Sequence, residues 1–205
     1  ADVGAGTVYS YFKSKDELAV AVLERVMHNL AVRIERVTDT FSDPAQVYAF
    51  GVRSVIEAAT GDMRWRQLLN RPEVIAEAMY RCMGPFAIRD LKNATSAGRL
   101  NAVNAELTWK MATYAIIGVS RAIVDEQLPA SSIDDVVIKL LCMAGLNLTD
   151  AHDLAHRPRP VLGPAGSSPT ACAVPRPRRG GVLLGLPRGT ERTRTDPWRL
   201  PRHPR

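Results

Sequence analysis

The first residues of the chain carry hydroxyl, phenol and ammonium groups at a spacing suited to contact with nucleic-acid phosphates. Thr7, Tyr9 and Tyr11 fall within a segment that we predict to be a short helix over residues 4–12. Hydroxyl and phenol groups donate hydrogen bonds to phosphate oxygens and thereby position a helix in the major groove. Lys15 follows at the start of the next helix, where its ammonium and the backbone N–H groups together favour a phosphate.

Small residues between these groups let the segment approach base edges closely. Ala5 can meet a thymine methyl, Ser10 can donate or accept a hydrogen bond, and Gly6 adds no side chain between them. We therefore predict that these three residues face the bases. The alternative interpretation is an ordinary core segment with surface tyrosines, which the composition of the segment by itself would favour.

The order of residues favours the nucleic-acid interpretation. The stretch VGAGTVYSYFKSKDEL, residues 3–18, resembles the recognition helix and following corner of TetR-family (tetracycline-repressor-like) transcriptional regulators, almost position by position. The resemblance extends to about residues 1–156. It implies that phosphates are contacted by Thr7, Tyr9, Tyr11 and Lys15. It also implies that bases are contacted by Ala5, Gly6 and Ser10.

By this resemblance the parent protein is a homodimeric, ligand-responsive transcriptional regulator that binds operator DNA, with a repressor favoured over an activator. Only two residues precede the matching stretch, whereas in the family further helices support the recognition helix from that side. We therefore predict an N-terminally truncated regulator in which residues 1–205 bind operator weakly or not at all. The alternative is a dimerising, small-molecule-binding helical module without DNA activity.

Helix start and stop signals follow one another after this segment. Ser14 and Glu17 form a capping box, which predicts a helix that extends to about Thr38. Asp43, followed by proline, predicts the start of a second helix, and Gly61 predicts its end.

The helical pattern continues to about residue 146. Pro72 predicts the start of a longer helix that the Gly-Pro pair at residues 84–85 should kink or split. Two further helices are predicted over about 104–126 and 132–146. Because strand-like alternation of useful length is missing, the sequence predicts an all-α fold.

Three regions follow from these signals. Residues 1–18 are interpreted as the remnant of a helix-turn-helix DNA-binding domain, and residues 19–156 as an all-helical ligand-binding and dimerisation domain. Residues 157–205 contain 10 prolines, 6 glycines and 11 arginines and are predicted to be a disordered tail. Two origins of the tail remain open: a genuine disordered segment, or GC-rich DNA read out of frame.

The charge of the chain is divided between these regions. Residues 1–156 carry 16 Lys and Arg against 19 Asp and Glu, a net charge of −3, whereas residues 157–205 carry 11 Arg against 2 acidic residues, a net charge of +9. The overall charge of +6 therefore belongs to the tail, and it is no evidence that the helical body binds nucleic acid.

In the family, the helices after the DNA-reading unit enclose an apolar pocket, and the last two long helices pair with their counterparts in a dimer. The resemblance implies a homodimer through residues 104–126 and 132–146, where Gly118 permits close helix approach. It also implies an unknown small apolar or amphipathic ligand. Adaptable or amphipathic side chains are the candidate ligand contacts, with plain core packing as the alternative: Trp65, Met79, Met83, Phe86, Trp109 and Tyr114.

The sequence gives little support for a disulfide, a metal site, an enzyme or a membrane protein. Cys82, Cys142 and Cys172 are widely spaced, which favours reduced thiols in the cytoplasm. His152 and His156 could meet on one helix face, but they lie in a predicted frayed end, so a solvated face is favoured over a metal site. We therefore predict a protein that is not an enzyme, with neither metal nor cofactor, and no membrane association.

Overall fold

The computed structural model describes residues 14–163, apart from the side chain of Asp16. In this part of the chain the fold is all-α, as predicted, with eight helices and no strand. The helices are α1 (Lys15–Thr38), α2 (Pro44–Gly61), α3 (Met63–Arg66), α4 (Pro72–Cys82), α5 (Gly84–Ser96), α6 (Ala105–Val124), α7 (Ser132–Met143) and α8 (Leu148–His156).

The first two helices begin where the capping signals place them. Ser14 Oγ accepts a hydrogen bond from the N–H of Glu17 at 3.1 Å, at the start of α1. Asp43 Oδ1 accepts from the N–H of Ala45 at 3.0 Å, and Pro44 occupies the first position of α2. Each side chain satisfies a backbone donor that lacks a partner within its helix, so both predicted helix starts are confirmed.

The predicted long helix after Pro72 is split into α4 and α5 around Met83. Pro85 has no backbone N–H and therefore cannot continue the hydrogen-bond ladder of α4. Gly84 is buried beside the indole of Trp109, and a Cβ placed at this residue would lie 3.4 Å from Trp109 Nε1. The break therefore brings the start of α5 close to α6.

Helix α2 is the centre of the domain. It packs against α1, α3, α5, α6, α7 and α8, and most of its side chains are buried. One of them is charged: Arg53 donates a hydrogen bond to the carbonyl of Ala155 at 2.9 Å and forms an ion pair with Asp134 at 2.5 Å. Because a buried guanidinium is stable only when it is paired, these contacts join α2 to α7 and α8.

The prediction of a frayed end around His152 and His156 is wrong. Residues 148–156 form α8, which packs against α7 and α2. Asn147 caps the helix, since its Oδ1 accepts from the N–H of Asp150 at 2.9 Å. Burial of its apolar face explains the helix, whereas the two histidines lie on the exposed face with their rings stacked 4.2 Å apart. The buried residues are Ala151, Leu154 and Ala155.

Residues 157–163, which we call the C-terminal strap, run back along the helical body in a non-helical conformation. Arg157 forms an ion pair with Asp153 at 2.6 Å, and Arg159 forms one with Glu57 on α2 at 2.7 Å. Further along, the carbonyl of Leu162 accepts a hydrogen bond from Arg33 on α1. The beginning of the predicted tail is therefore attached to the domain, and residues 164–205 lie outside the described part of the chain.

Candidate functional site

A cavity of about 40 Å³ lies between α1, α2, α5 and α6. At roughly 10–15 Å³ for each water, this free space holds about three waters. A larger molecule can therefore enter only if parts of the wall move. Most of the wall is apolar and comes from all four helices and from the break between α4 and α5: Ala31, Ile34, Val47, Val52, Val55, Met83, Phe86, Ala87 and Trp109.

Two polar groups in the wall lack a hydrogen-bond partner among the described residues. They are the hydroxyl of Tyr48 on α2 and the indole N–H of Trp109 on α6, and both side chains are almost completely buried. Burial raises the pKa of Tyr48 above its usual value, so the phenol is neutral. The cavity therefore carries two neutral hydrogen-bonding groups within an apolar wall.

The remaining polar side of the cavity is a cluster of three charges. Arg89 on α5 forms an ion pair with Glu35 on α1 at 2.6 Å and another with its neighbour Asp90 at 2.9 Å. Its guanidinium carbon also lies 5.7 Å from the ring centre of Phe86, close enough for a cation–π contact. The guanidinium therefore holds two carboxylates in the cavity wall and links α5 to α1.

The structure distributes the predicted ligand contacts over three environments. Met83, Phe86 and Trp109 line the cavity. Trp65 and Met79 are completely buried in the core, outside the set of residues that lines it. The sixth candidate, Tyr114, lies on the outside of α6 with 53% of its surface exposed.

Apart from Trp109, the polar residues of this cavity were not predicted from the sequence. Tyr48 lies on the buried face of a helix that is recognisable from its Asp-Pro start, which is a usable signal for a tyrosine in the interior. Glu35, Arg89 and Asp90 carry no such signal, because charged residues are common on solvated helix faces.

The predicted DNA-contacting residues lie almost entirely outside the described part of the chain. This applies to the predicted base-facing and phosphate-facing residues Ala5, Gly6, Thr7, Tyr9, Ser10 and Tyr11. Lys15 is the exception: it is the first residue of α1 and is exposed. An exposed ammonium at the start of a helix is in a position to meet a phosphate.

The outside of α6 carries an apolar surface. Leu107, Met111 and Tyr114 are each at least half exposed and follow one another at helical spacing. Gly118 continues the row, and a Cβ placed there would contact no described atom within 4 Å apart from its chain neighbours and the adjacent backbone of α6. We call these four residues the α6 outer face. Contiguous exposed apolar side chains of this kind mark sites of association.

Residues 43–157 match the family model described as the tetracyclin repressor-like C-terminal domain. The match extends from the cap of α2 through α8 and includes the cavity residues on α2, α5 and α6. The chain belongs to the tetracycline-repressor-like family. This membership supports a ligand-responsive transcriptional regulator, and no functionally curated protein matches the chain by sequence.

Two solved structures of RolR have the same fold as this family member. RolR in complex with the ligand resorcinol is 23% identical and superimposes with a TM-score of 0.72, over 79% of this chain and 81% of that chain. RolR without ligand is 26% identical, with a TM-score of 0.67 over 79% of this chain and 84% of that chain.

Residues 14–163 contain neither a metal-binding cluster nor a membrane-spanning helix. In this range no group of three or more His, Cys, Asp or Glu side chains could hold a metal ion. Nor does any helix within it combine the length and the apolar character that crossing a membrane requires.

Proposed function

We propose that this protein is a cytoplasmic, homodimeric transcriptional regulator, with a repressor favoured, that responds to a small molecule bound between α1, α2, α5 and α6. The observation that carries the proposal is the cavity itself, in which neutral polar groups are set into an apolar wall inside a domain of the tetracycline-repressor-like family. Ligand pockets in proteins have this composition.

The small size of the cavity suggests how binding is communicated. A molecule larger than a few waters must displace side chains of the wall, and α1 contributes Ala31, Ile34 and Glu35 to that wall. Helix α1 begins at Lys15, directly after the predicted recognition helix. A shift of α1 on binding therefore repositions the DNA-reading segment.

We propose the same DNA contacts that the sequence predicts. Ala5, Gly6 and Ser10 face the bases, whereas Thr7, Tyr9, Tyr11 and Lys15 contact phosphates. Two such segments in a dimer would occupy successive major grooves about 34 Å apart on a near-palindromic operator. A ligand that alters this separation lowers the affinity for DNA.

The proposed dimer forms through α6 and α7, with the α6 outer face at its centre. Exposed Leu107, Met111 and Tyr114 would be buried against their counterparts, and Gly118 leaves room for close approach of the two copies of α6.

The ligand that we propose is a small aromatic compound, in keeping with the apolar or amphipathic ligand expected from the sequence. Phe86 and Trp109 supply aromatic surface to the cavity. RolR, which shares the fold, was solved with the aromatic ligand resorcinol, and resorcinol is therefore a reasonable first compound to test.

Selection of DNA by the protein tests the proposed function. Residues 1–205 are incubated with a random DNA library at low salt, about 50 mM, where phosphate contacts are strongest. We expect weak enrichment of a near-palindromic sequence, which is lost when Tyr9 and Tyr11 are replaced by phenylalanine. Tyr80→Phe is the matched control, because Tyr80 is a partly exposed tyrosine on α4.

The same experiment separates the two candidate functions. Release of the enriched DNA by a small molecule that also raises the unfolding temperature supports the regulator. A chain that enriches no sequence, yet dimerises and binds small molecules, is instead a ligand-binding helical module without DNA activity.

A further inference from the structure

We infer that the ligand of this cavity is an uncharged molecule whose apolar body carries a hydrogen-bond acceptor, and that the Tyr48 hydroxyl and the Trp109 indole N–H recognise that acceptor. The inference rests on the proposed function, because it takes the cavity between α1, α2, α5 and α6 to be the regulatory site. It adds the chemical class of the ligand and the two residues that select it.

The two donors are buried and lack partners among the described residues. Both side chains line the same cavity, both are at most 2% exposed, and neither polar atom has a partner within residues 14–163. A buried donor without a partner destabilises the ligand-free protein. A ligand acceptor that satisfies these donors removes that cost, so binding and stabilisation are coupled at Tyr48 and Trp109.

Tyr48 and Trp109 differ in the direction of the hydrogen bonds that they can form, but both can donate. The indole nitrogen of Trp109 can only donate, and a phenol can donate as well as accept. Both groups can therefore serve a carbonyl, ether or hydroxyl oxygen, whereas an ammonium group would find only one acceptor between them.

The charges in the cavity wall disfavour a charged ligand. The guanidinium of Arg89 is occupied by the carboxylates of Glu35 and Asp90, which outnumber it in the cavity wall. An anionic ligand would enter a site whose cation is already paired and whose net charge is negative. A cationic ligand would have to compete with Arg89 for Glu35 and Asp90, because both carboxylates are already paired with its guanidinium. Since moving a charge from water into an apolar cavity requires a partner of opposite sign, an uncharged ligand fits best.

Four probes of similar shape test the inference against the full chain: acetophenone, ethylbenzene, benzoate and benzylammonium. Isothermal titration calorimetry measures the affinity of each. We expect acetophenone to bind about tenfold more tightly than ethylbenzene, the equivalent of one net hydrogen bond. Benzoate and benzylammonium should bind more weakly than ethylbenzene.

The variant Tyr48→Phe identifies the residue. It should lower the affinity for acetophenone by about fivefold to tenfold and change the affinity for ethylbenzene by no more than about twofold. It should also raise the unfolding midpoint of the ligand-free protein, because it removes a buried hydroxyl that has no partner within the described residues. A residue with a purely structural role would lower stability instead. Tyr80→Phe, outside the cavity, should change none of these values.

Four results would overturn the inference. Two concern the relative affinities of the probes: equal affinities for acetophenone and ethylbenzene, or tightest binding of benzoate or benzylammonium. The other two are an equal loss of affinity for acetophenone and ethylbenzene in Tyr48→Phe, and no saturable binding of acetophenone. Trp109→Phe, which removes the other donor, repeats the comparison if Tyr48→Phe fails to fold. Any of these results together with ligand-dependent DNA release would leave the regulator function standing, and only the assigned ligand class would fail.

Discussion

Arg89 on α5 and Glu35 on α1 form an ion pair at 2.6 Å in the wall of the cavity. The pair connects the proposed ligand site to the helix that follows the DNA-reading segment. Both side chains are largely buried, at 16% and 18% exposure, so water screens the interaction less than it screens a surface pair. This pair joins α5 to α1 within the cavity wall.

Arg89→Met should destabilise the protein by about 2 kcal/mol, between the values for exposed and fully buried pairs. Urea unfolding measures the change. Arg81→Met is the matched control, because Arg81 on α4 also pairs with α1, through Glu24, but is half exposed; its effect should stay below about 0.5 kcal/mol. Equal losses of unfolding free energy in the two variants would show that burial of Arg89 adds nothing to the stability of its ion pair.

Stability should fall in acid through Asp43. Burial would raise the pKa of this carboxyl, but hydrogen bonds from Arg99 and the N–H of Ala45, with the charges of Arg99 and Arg157, hold its pKa below the usual value. A lowered native pKa stabilises the fold above the unfolded-state pKa, near 4, and this contribution is lost as the pH falls through the native pKa.

The variant Asp43→Asn tests this linkage because asparagine still caps a helix but does not titrate. Unfolding free energies measured from pH 6 to pH 2 should decline less steeply in the variant than in the wild type. Parallel pH profiles would contradict a role for the Asp43 charge.

Gly145→Ala should be strongly destabilising. Gly145 has φ of +93°, and a Cβ there would lie 2.6 Å from the Cβ of Asn101 and 2.8 Å from its backbone nitrogen. Backbone strain of about 1–3 kcal/mol is therefore added to a steric clash. Gly98→Ala is the control, since Gly98 has φ of +68° but open space around it. Thermal unfolding should show the larger loss for Gly145→Ala; the reverse order would contradict the clash.

Charges on the α6 outer face should dissociate the proposed dimer. Met111→Glu and Tyr114→Glu each place a carboxylate where two apolar surfaces would meet, and an unpaired buried charge is costly. Light scattering after size exclusion should change from dimer to monomer at micromolar concentration. Met63→Glu, at an exposed methionine on α3, should remain dimeric. A wild-type monomer would remove the homodimer from the proposal.

The sequence by itself determined the features that depend on neighbouring residues. The caps at Ser14 and Asp43, and the break before Pro85, follow from hydrogen bonds and backbone limits that act within one helical turn. The all-α fold follows from their repetition. The resemblance to the tetracycline-repressor-like family, stated from residues 3–18, agrees with the match over residues 43–157.

Only the tertiary structure decided which side chains meet. Met83, Phe86 and Trp109 line the cavity whereas Tyr114 faces outward, although all four are aromatic or sulfur-containing residues that the sequence predicts as ligand contacts. Periodicity indicates that a helix has an apolar face, but the rotation of each helix against its neighbours decides whether that face meets the core, the cavity or solvent.

For the same reason, the sequence did not predict the unpartnered hydroxyl of Tyr48 or the stable helix α8. Whether a buried hydroxyl finds a partner depends on atoms from distant segments, and α8 is stabilised by the apolar contacts that it makes with α7 and α2. Local signals describe the elements; the long-range packing that encloses the cavity belongs to the folded chain alone, because each helix supplies only part of the wall.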